Sequence, residues 1–389
     1  MENRKSKLGL FFLSFSPVWN FKKLFTVDNQ GDDNLLVLNG IRTLSICWVV
    51  LGHAYLYLPN GLISNVSTFA NAYNPILFAV GPGGVYAVDV FFFLSGFLTF
   101  YLLTAKLYPK GGWDGCKNFL LLYFHRFYRL IFPVVFVTGI TVWLMKYFGN
   151  GPFYRTEWET AFVNNCRKYW WTNFLFINNF VPWDLAHSCL GYMWYLANDF
   201  QFYLITPPII VAYCNKRRAS YIAVFAIISV CVLYNGVMSA VFNIGPIYTP
   251  GDKISQGNFL YDKPWARCGP YFVGGLLGWS YFERKFKDKH PALKYTTFNR
   301  IYSVLSLSKV MCYVLAIIGV GLMPVFILPL RNWTMYCTES NCWSRFATVI
   351  FTAIYRTGFV TCLALIILPV LCNRFTFIKY FLSANILTV

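Results

Sequence analysis

The sequence contains eight long apolar segments, and these strongly restrict the folds that the chain is able to adopt. Hydrophobic residues make up 57% of its 389 positions and charged residues only 12%, whereas soluble domains carry about a quarter charged residues. About 20 apolar residues cross a bilayer as an α-helix, because a helix satisfies its own backbone hydrogen bonds. The sequence therefore predicts an all-α, polytopic transmembrane helix bundle. The predicted spans are 38–58, 84–105, 126–147, 188–213, 219–242, 264–282, 304–330 and 345–372.

The basic residues predict the orientation of these spans. An excess of Lys and Arg occurs in every second loop, at 106–126, 216–218 and 283–303, and cytoplasmic loops carry such an excess. We therefore expect a cytoplasmic N-terminus and, with eight spans, a cytoplasmic C-terminus. Asn65 and Asn332 begin Asn-x-Ser/Thr sequences in loops that this rule places outside, where they are candidate glycosylation sites. The net charge of +18 then reflects topology, and we expect no nucleic-acid partner.

Four of the twelve cysteines also lie in outer segments. Outer loops face an oxidising space, so two disulfides are plausible there. Proximity in the sequence suggests the pairs Cys166–Cys189 and Cys337–Cys342. The other cysteines are scattered without CxxC spacing, so we expect no metal site.

Three regions follow from this pattern. Residues 1–37 form a cytoplasmic or interfacial segment, 38–372 the transmembrane domain and 373–389 a short cytoplasmic tail. An apolar run at 8–19 follows two lysines, but Pro17 interrupts it and no small-residue cleavage site follows. An interfacial segment on the inner leaflet is the preferred interpretation, and a signal anchor is the alternative.

Arg42 and His53 lie within the first predicted span. Charged groups in lipid are costly, so by default they mark a functional site. Eleven residues separate the two, which is about 16 Å along a helix. Arg42 is therefore expected near the inner interface, and His53 near the middle of the bilayer.

Asp199 is predicted at a depth similar to that of His53, eleven residues into the fourth span. A carboxylate and an imidazole at one depth are able to form an acid–base pair, with Asp199 orienting the ring. The alternative is a structural Asp–His pair that ties two helices together.

Arg126 and Arg129 are predicted to open the third span at the cytoplasmic face. Three residues apart, they share one side of a helix, and two guanidiniums bind phosphate groups bidentately. The alternative is ordinary anchoring of the span by snorkelling side chains.

Asp89 stands beside three phenylalanines at the start of the second span. It is interpreted either as a helix N-terminal carboxylate or as a residue with a direct role, which makes it a candidate catalytic acid. Arg267, at the outer end of the sixth span, is expected either to neutralise Asp89 or to line an outer vestibule.

Taken together and in order, these motifs resemble the membrane acyltransferase 3 family, and more closely its nose-resistant-to-fluoxetine-like branch. The resemblance covers roughly residues 13–372. The matching segments are 38–42, 48–53, 88–97, 125–129, 170–173, 177–180, 194–203, 263–265 and 269–271.

The resemblance implies transfer of an acyl group from cytoplasmic acyl-CoA, the donor co-substrate, to a hydroxyl-bearing acceptor. It implies that Arg42 and His53 are catalytic, that Arg126 and Arg129 bind the CoA moiety, and that Asp199 is the family's acid, which is usually Glu in bacterial members. His53 is then the general base that takes the acceptor proton, with Arg42 near the CoA phosphates. The plasma membrane and the endoplasmic reticulum are both expected compartments.

Other functions also fit the sequence. The chain stops at Val389, where members of the family that it resembles continue into further spans. A truncated product, an alternative isoform and a partial gene model are the three interpretations, and an inactive enzyme is one expected consequence of missing helices. A transporter of lipids or small molecules is one alternative, and a catalytically inactive structural subunit is another. The acceptor, the acyl chain length and the oligomeric state do not follow from the sequence.

Overall fold

The computed structural model describes residues 16–25, 33–57, 79–111, 119–151, 154–247, 258–293, 309–333 and 343–384, together with a few isolated positions. Its regular elements are helices, and no strand occurs in these ranges, which confirms the predicted all-α class. In chain order the α-helices are α1 Pro17–Leu24, α2 Asp33–Tyr57, α3 Val85–Leu107, α4 Phe119–Gly139, α5 Asn165–Phe174, α6 Trp194–Asn215, α7 Arg217–Phe242, α8 Pro264–Phe286, α9 Lys309–Ile327, α10 Arg345–Leu371 and α11 Thr376–Leu382.

The membrane-crossing character of the bundle is confirmed. Six helical stretches of the described chain are long and apolar enough to span a bilayer: Leu35–Ala54, Pro82–Lys110, Leu120–Tyr147, Arg217–Phe242, Lys309–Leu330 and Arg345–Leu371. Helices α6 and α8 are of similar length, but they carry more polar residues and pack inside the bundle. The count of eight spans and the cytoplasmic position of both termini stay predictions.

Two helices begin where the sequence did not predict. Helix α4 begins at Phe119, so Arg126 lies about two turns inside the helix rather than at its start. The prediction was wrong because basic residues were taken to end the span, although the residues before them are apolar. Helix α6 begins only at Trp194, because Leu190 takes a left-handed φ of 51° and Gly191–Met193 form a 3₁₀ turn. Asp199 is therefore in the second turn.

Helices α3 and α8 form the centre of the bundle. Their backbones approach closely at glycines, since a methyl group added at Gly274 would overlap the carbonyl oxygen of Phe93 and one at Gly96 that of Tyr271. Small residues permit such contact between membrane helices. Around this contact, α3 buries four fully enclosed phenylalanines: Phe92, Phe93, Phe97 and Phe100. The polar residues of α6 and α8 are therefore held against a rigid aromatic helix.

The ends of the bundle are fastened by different means. The predicted disulfide Cys166–Cys189 is present, whereas Cys337 and Cys342 lie outside the described residues. The same holds for Asn65 and for the residue that completes the Asn332 motif, so glycosylation stays a prediction. Helix α11, in the predicted tail, packs on α2 where Leu382 meets Gly40.

A buried carboxylate ties together three helices, at the end of α6, the start of α7 and the end of α8. Glu283 on α8 accepts hydrogen bonds from Tyr213 of α6 at 2.6 Å and Tyr221 of α7 at 3.0 Å. Arg217 lies 3.9 Å from the same oxygen. Burying a carboxylate is costly unless it is paired and hydrogen-bonded, and all three partners gather at Oε1, whereas the buried Oε2 has no hydrogen-bond partner among the described residues.

Candidate active site within the helix bundle

A three-residue polar cluster joins α3, α4 and α6 inside the bundle. Arg126 Nη2 lies 2.5 Å from Asp199 Oδ2, and Ser95 donates to Asp199 Oδ1 at 2.6 Å. Arg126 also donates to the Ser95 hydroxyl at 3.2 Å, and its guanidinium lies 4.4 Å from the centre of the Tyr203 ring. The cluster is a closed hydrogen-bonded triangle with one positive and one negative charge.

The predicted pairing of Asp199 with His53 is wrong in this structure. Both carboxylate oxygens of Asp199 are engaged by Ser95 and Arg126. A guanidinium is permanently charged and offers several donors in a fixed plane, so it binds a buried carboxylate more strongly than an imidazole does. The sequence put Arg126 at the cytoplasmic surface, whereas only 22% of its side chain is exposed.

Two further arginines that the sequence singled out, Arg42 and Arg129, lie near this cluster. Arg42 is half-buried on α2 and donates to Asn39 at 3.1 Å. It lies within electrostatic range of Tyr195 and Arg129, and Arg129 is exposed. The structure therefore brings together Arg42, Arg126, Arg129 and Asp199, four of the residues that the sequence singled out.

His53 stands on the same helix as Arg42, three turns away. Eleven residues rotate by nearly whole turns in an α-helix, so the two side chains share one face of α2. The His53 Nδ1 atom lies 2.8 Å from the carbonyl oxygen of Val49. Only an N–H donates to a carbonyl, so this contact places the proton on Nδ1 and the lone pair of a neutral ring on Nε2. In this tautomer Nε2 is the ring atom able to accept a proton.

Asp89 belongs to a second, separate charged cluster. Arg267 Nη1 donates to Asp89 Oδ1 at 2.8 Å, and both side chains are fully buried. Arg356 on α10 lies 4.0 Å from the other carboxylate oxygen. The partner that Asp89 was expected to need is thus Arg267, and Asp89 is not in the first turn of α3, so the helix N-terminal interpretation is wrong.

This second cluster ties helices together. Arg267 and Arg356 donate to the backbone carbonyls of Tyr261 and Leu260, so α8 and α10 hold the preceding loop through charged side chains. Asp89 lies six residues from Ser95, about 9 Å along α3. A catalytic role for Asp89 stays a prediction, and its geometry is that of a buried ion pair.

The sequence reasoning missed three contributors. Ser95 follows the phenylalanines of α3, but a lone serine gives no signal before its neighbours in space are known. Tyr195 interacts electrostatically with Arg42, Arg126 and Asp199. Aromatic residues are common in membrane helices, so the sequence gave no reason to single it out. Arg356 was detectable, because it interrupts an apolar span in the same manner as Arg42.

No group of three or more His, Cys, Asp or Glu side chains with the spacing of a metal site occurs in the described part of the chain. The cluster itself offers guanidinium, carboxylate and hydroxyl groups, and His53 on α2 adds an imidazole. Such groups bind anions, transfer protons and stabilise developing negative charge.

Comparison with known proteins identifies relatives that share this domain. The chain is 30% identical over 290 residues to Nose resistant to fluoxetine protein 6 of Caenorhabditis elegans, which covers 69% of this chain and 34% of that protein. It is 25% identical over 68% of its length to Regulator of hypoxia-inducible factor 1 of the same organism, covering 54% of that protein. The chain thus spans about a third and about half of these two relatives.

Bacterial proteins match a shorter part. Peptidoglycan O-acetyltransferase OatA of Listeria monocytogenes is 30% identical over 46% of this chain and 27% of its own length. No solved structure matches the chain significantly. Residues 35–384 match the family described as an acyltransferase domain, Acyl_transf_3. Since that match takes in both the first span and the α3–α4–α6 cluster, the chain belongs to the membrane acyltransferase 3 family.

Proposed function

We propose that this chain is an integral membrane acyltransferase that moves an acyl group from cytoplasmic acyl-CoA to a hydroxyl acceptor. The observation that carries the proposal is the arrangement on and around α2, where Arg42 and His53 share one helix face and Arg42 lies within electrostatic range of Arg129 and of Tyr195, which also interacts with Arg126 and Asp199. The O-acetyltransferase relatives support the reaction class. Membrane lipids surround the protein, in the plasma membrane or the endoplasmic reticulum.

The CoA moiety is expected to bind through Arg129 and Arg42. Arg126 is already neutralised by Asp199 at 2.5 Å, so its charge attracts phosphate less than that of the exposed Arg129. Arg42 and Arg129 lie close enough to interact, and two like charges at short distance favour an anion between them. This refines the expected Arg126–Arg129 fork.

His53 acts as the general base in this proposal. Its Nε2 removes the proton from the acceptor hydroxyl while the hydroxyl oxygen attacks the thioester carbonyl carbon. The carbon–sulfur bond then breaks, and the CoA thiolate takes the proton back from His53. The products are an O-acyl ester and free CoA-SH, and a positioned base of this kind contributes about 10²–10⁴-fold to the rate.

Arg126 is suited to stabilise the oxyanion that forms in this step. Its Nε is buried and has no hydrogen-bond partner among the residues that the structure describes, while Nη2 is held by Asp199 and Ser95. A donor fixed in advance and aimed into a site of low dielectric stabilises developing charge without reorganisation. Asp199 and Ser95 then orient Arg126, and Asp199 keeps the site close to neutral before the donor arrives.

Donor binding is the first experiment. Acetyl-CoA binding to the purified full chain in detergent is measured by isothermal titration calorimetry for the unchanged protein, Arg129→Ala, Arg42→Ala and the control Arg218→Ala, another exposed inner arginine. Saturable binding that weakens about tenfold or more in the first two variants and persists in the control supports the proposal. Binding that is absent, or equally weak in all variants, contradicts it.

Transfer itself is tested in a second assay. Membranes that contain the chain are supplied with radiolabelled acetyl-CoA, and labelled lipid, glycan and protein fractions are compared with membranes that contain His53→Gln. Label that enters one fraction only with His53 present identifies the acceptor class. Label that is independent of His53 contradicts the proposed base.

A further inference from the structure

Lys263 is a fully buried lysine at the end of the bundle that the charge pattern places outside. Its ammonium group donates to the carbonyl oxygens of Asn179 at 2.6 Å and Trp183 at 3.3 Å, and to Asp262 Oδ2 at 3.1 Å. An ammonium has three donors, so all three are used. The Trp183 ring also lies 4.2 Å from the charge. Because all its hydrogen bonds are made within the protein, Lys263 joins the loop before α6 to the loop before α8. We call Lys263 and Asp262, with the contacts they make, the clamp.

The clamp continues into α6 through amide side chains. Asn198 donates to the backbone carbonyl of Asp262 at 2.9 Å, and accepts from Asn179 at 2.7 Å. Gln201 exchanges hydrogen bonds with Asn179 at 2.9 and 3.0 Å and donates to the Phe176 carbonyl at 2.8 Å. Asn198 is thereby held to both loops, and Gln201, one helical turn further on, to the loop before α6.

Asn198 immediately precedes Asp199, whose carboxylate forms the cluster with Ser95 and Arg126. Adjacent residues point about 100° apart on a helix, so one face of α6 is fixed by the clamp and the next face carries the active-site acid. A small rotation or slide of α6 would move both sets of hydrogen bonds together. Buried ion pairs contribute little net stability but are well suited to fix register.

We propose that Lys263 and Asp262 are positioning residues that set the rotation and depth of α6, so that Asp199 meets Arg126 and Ser95 in the reactive arrangement. The positioning of α6 stands on its own contacts, and its consequence for acyl transfer rests on the proposed function. Neither residue touches the reacting atoms; each acts through Asn179 and Asn198.

Hydrogen exchange measured by mass spectrometry on the full chain in detergent tests the positioning. Lys263→Met removes the clamp, and Asn198→Ala cuts the link to α6 while it leaves the Lys263–Asp262 pair in place. Lys285→Met, an exposed position on the same helix α8, is the matched control. Amide exchange in residues 194–203 is expected to rise about tenfold or more in the first two variants, with little change in α7 or α10 and none in the control.

A functional measurement separates positioning from a merely structural role. Acetyl-CoA affinity is expected to stay within about twofold in Lys263→Met and Asn198→Ala, while acyl transfer falls about tenfold or more. Unchanged exchange in α6 would overturn the proposal, and so would an equal rise in every helix. If Lys263→Met does not fold, Asn198→Ala decides the question. If the unchanged chain shows no acyl transfer, the proposed function fails while the exchange result still decides the positioning.

Discussion

Asp199 and Arg126 meet at 2.5 Å across α6 and α4, and each was expected elsewhere, one beside an imidazole and the other at the membrane surface. Their pairing neutralises two charges that are costly in lipid when alone. It also turns the hydroxyl of Ser95 into a third member held by both. The Arg126–Asp199–Ser95 cluster is therefore a fixed dipolar unit near two further arginines, Arg42 and Arg129.

This pairing predicts strong non-additivity in stability. Arg126→Ala is expected to lower the free energy of unfolding by about 3 kcal/mol, because it leaves the buried Asp199 carboxylate uncompensated. Asp199→Asn combined with Arg126→Ala removes both charges, so the double change should cost less than the sum of the two single changes. Thermal unfolding in detergent measures each variant of the cycle. Strictly additive costs would show that the two side chains do not interact.

His53 separates the enzyme from its alternatives. His53→Gln is expected to lower acyl transfer by about 100-fold or more, because no base then takes the acceptor proton, while acetyl-CoA binding by Arg42 and Arg129 persists. The two measurements are made on the same preparations. If the chain shows no acyl transfer, and vesicles that contain His53→Gln still take up labelled lipid, the transporter is favoured.

The α3–α8 contact gives a prediction about packing. Gly274→Ala is expected to destabilise the chain by about 1–3 kcal/mol, because the added methyl overlaps the Phe93 carbonyl and the helices must separate. Gly321→Ala is the control, since a methyl there meets nothing within 4 Å and alanine favours a helix over glycine. Thermal unfolding midpoints compare the two, and equal midpoints would refute the close approach.

The fold was largely predictable because lipid permits few alternatives, and helix lengths follow from apolar run lengths. Which helices lie next to one another could not be predicted from the sequence. The sequence offered Arg267 as one partner for Asp89, which the structure confirms, but it assigned the wrong partner to Asp199. Hydropathy reports depth along a helix and says nothing about which helix lies opposite, so Ser95 gave no signal before the fold was known.

The Lys263–Asp262 clamp predicts that the stability of the fold depends on pH. Burial raises the pKa of Asp262 to about 6 from its ordinary 3.8, against the opposing effect of Lys263 and, more weakly, Arg267. The phenol of Tyr234 also lies within electrostatic range of the carboxyl. A raised pKa in the folded state means that the folded chain holds this proton more tightly than the unfolded chain does.

The contribution of Asp262 to stability is therefore fully present below about pH 4 and is lost as the pH rises through about 6, by on the order of 2–3 kcal/mol. Asp262→Asn cannot titrate at this position. Between about pH 4 and pH 6 the unfolding midpoint of the unchanged chain should therefore fall relative to that of the variant. Asp288→Asn, at an exposed position, is the matched control and should show no such shift. Thermal unfolding at pH 4.5, 5.5, 6.5 and 7.5 measures both differences. A difference for Asp262→Asn that stays constant from the lowest to the highest pH would show that the carboxyl titrates alike in the folded and unfolded chain.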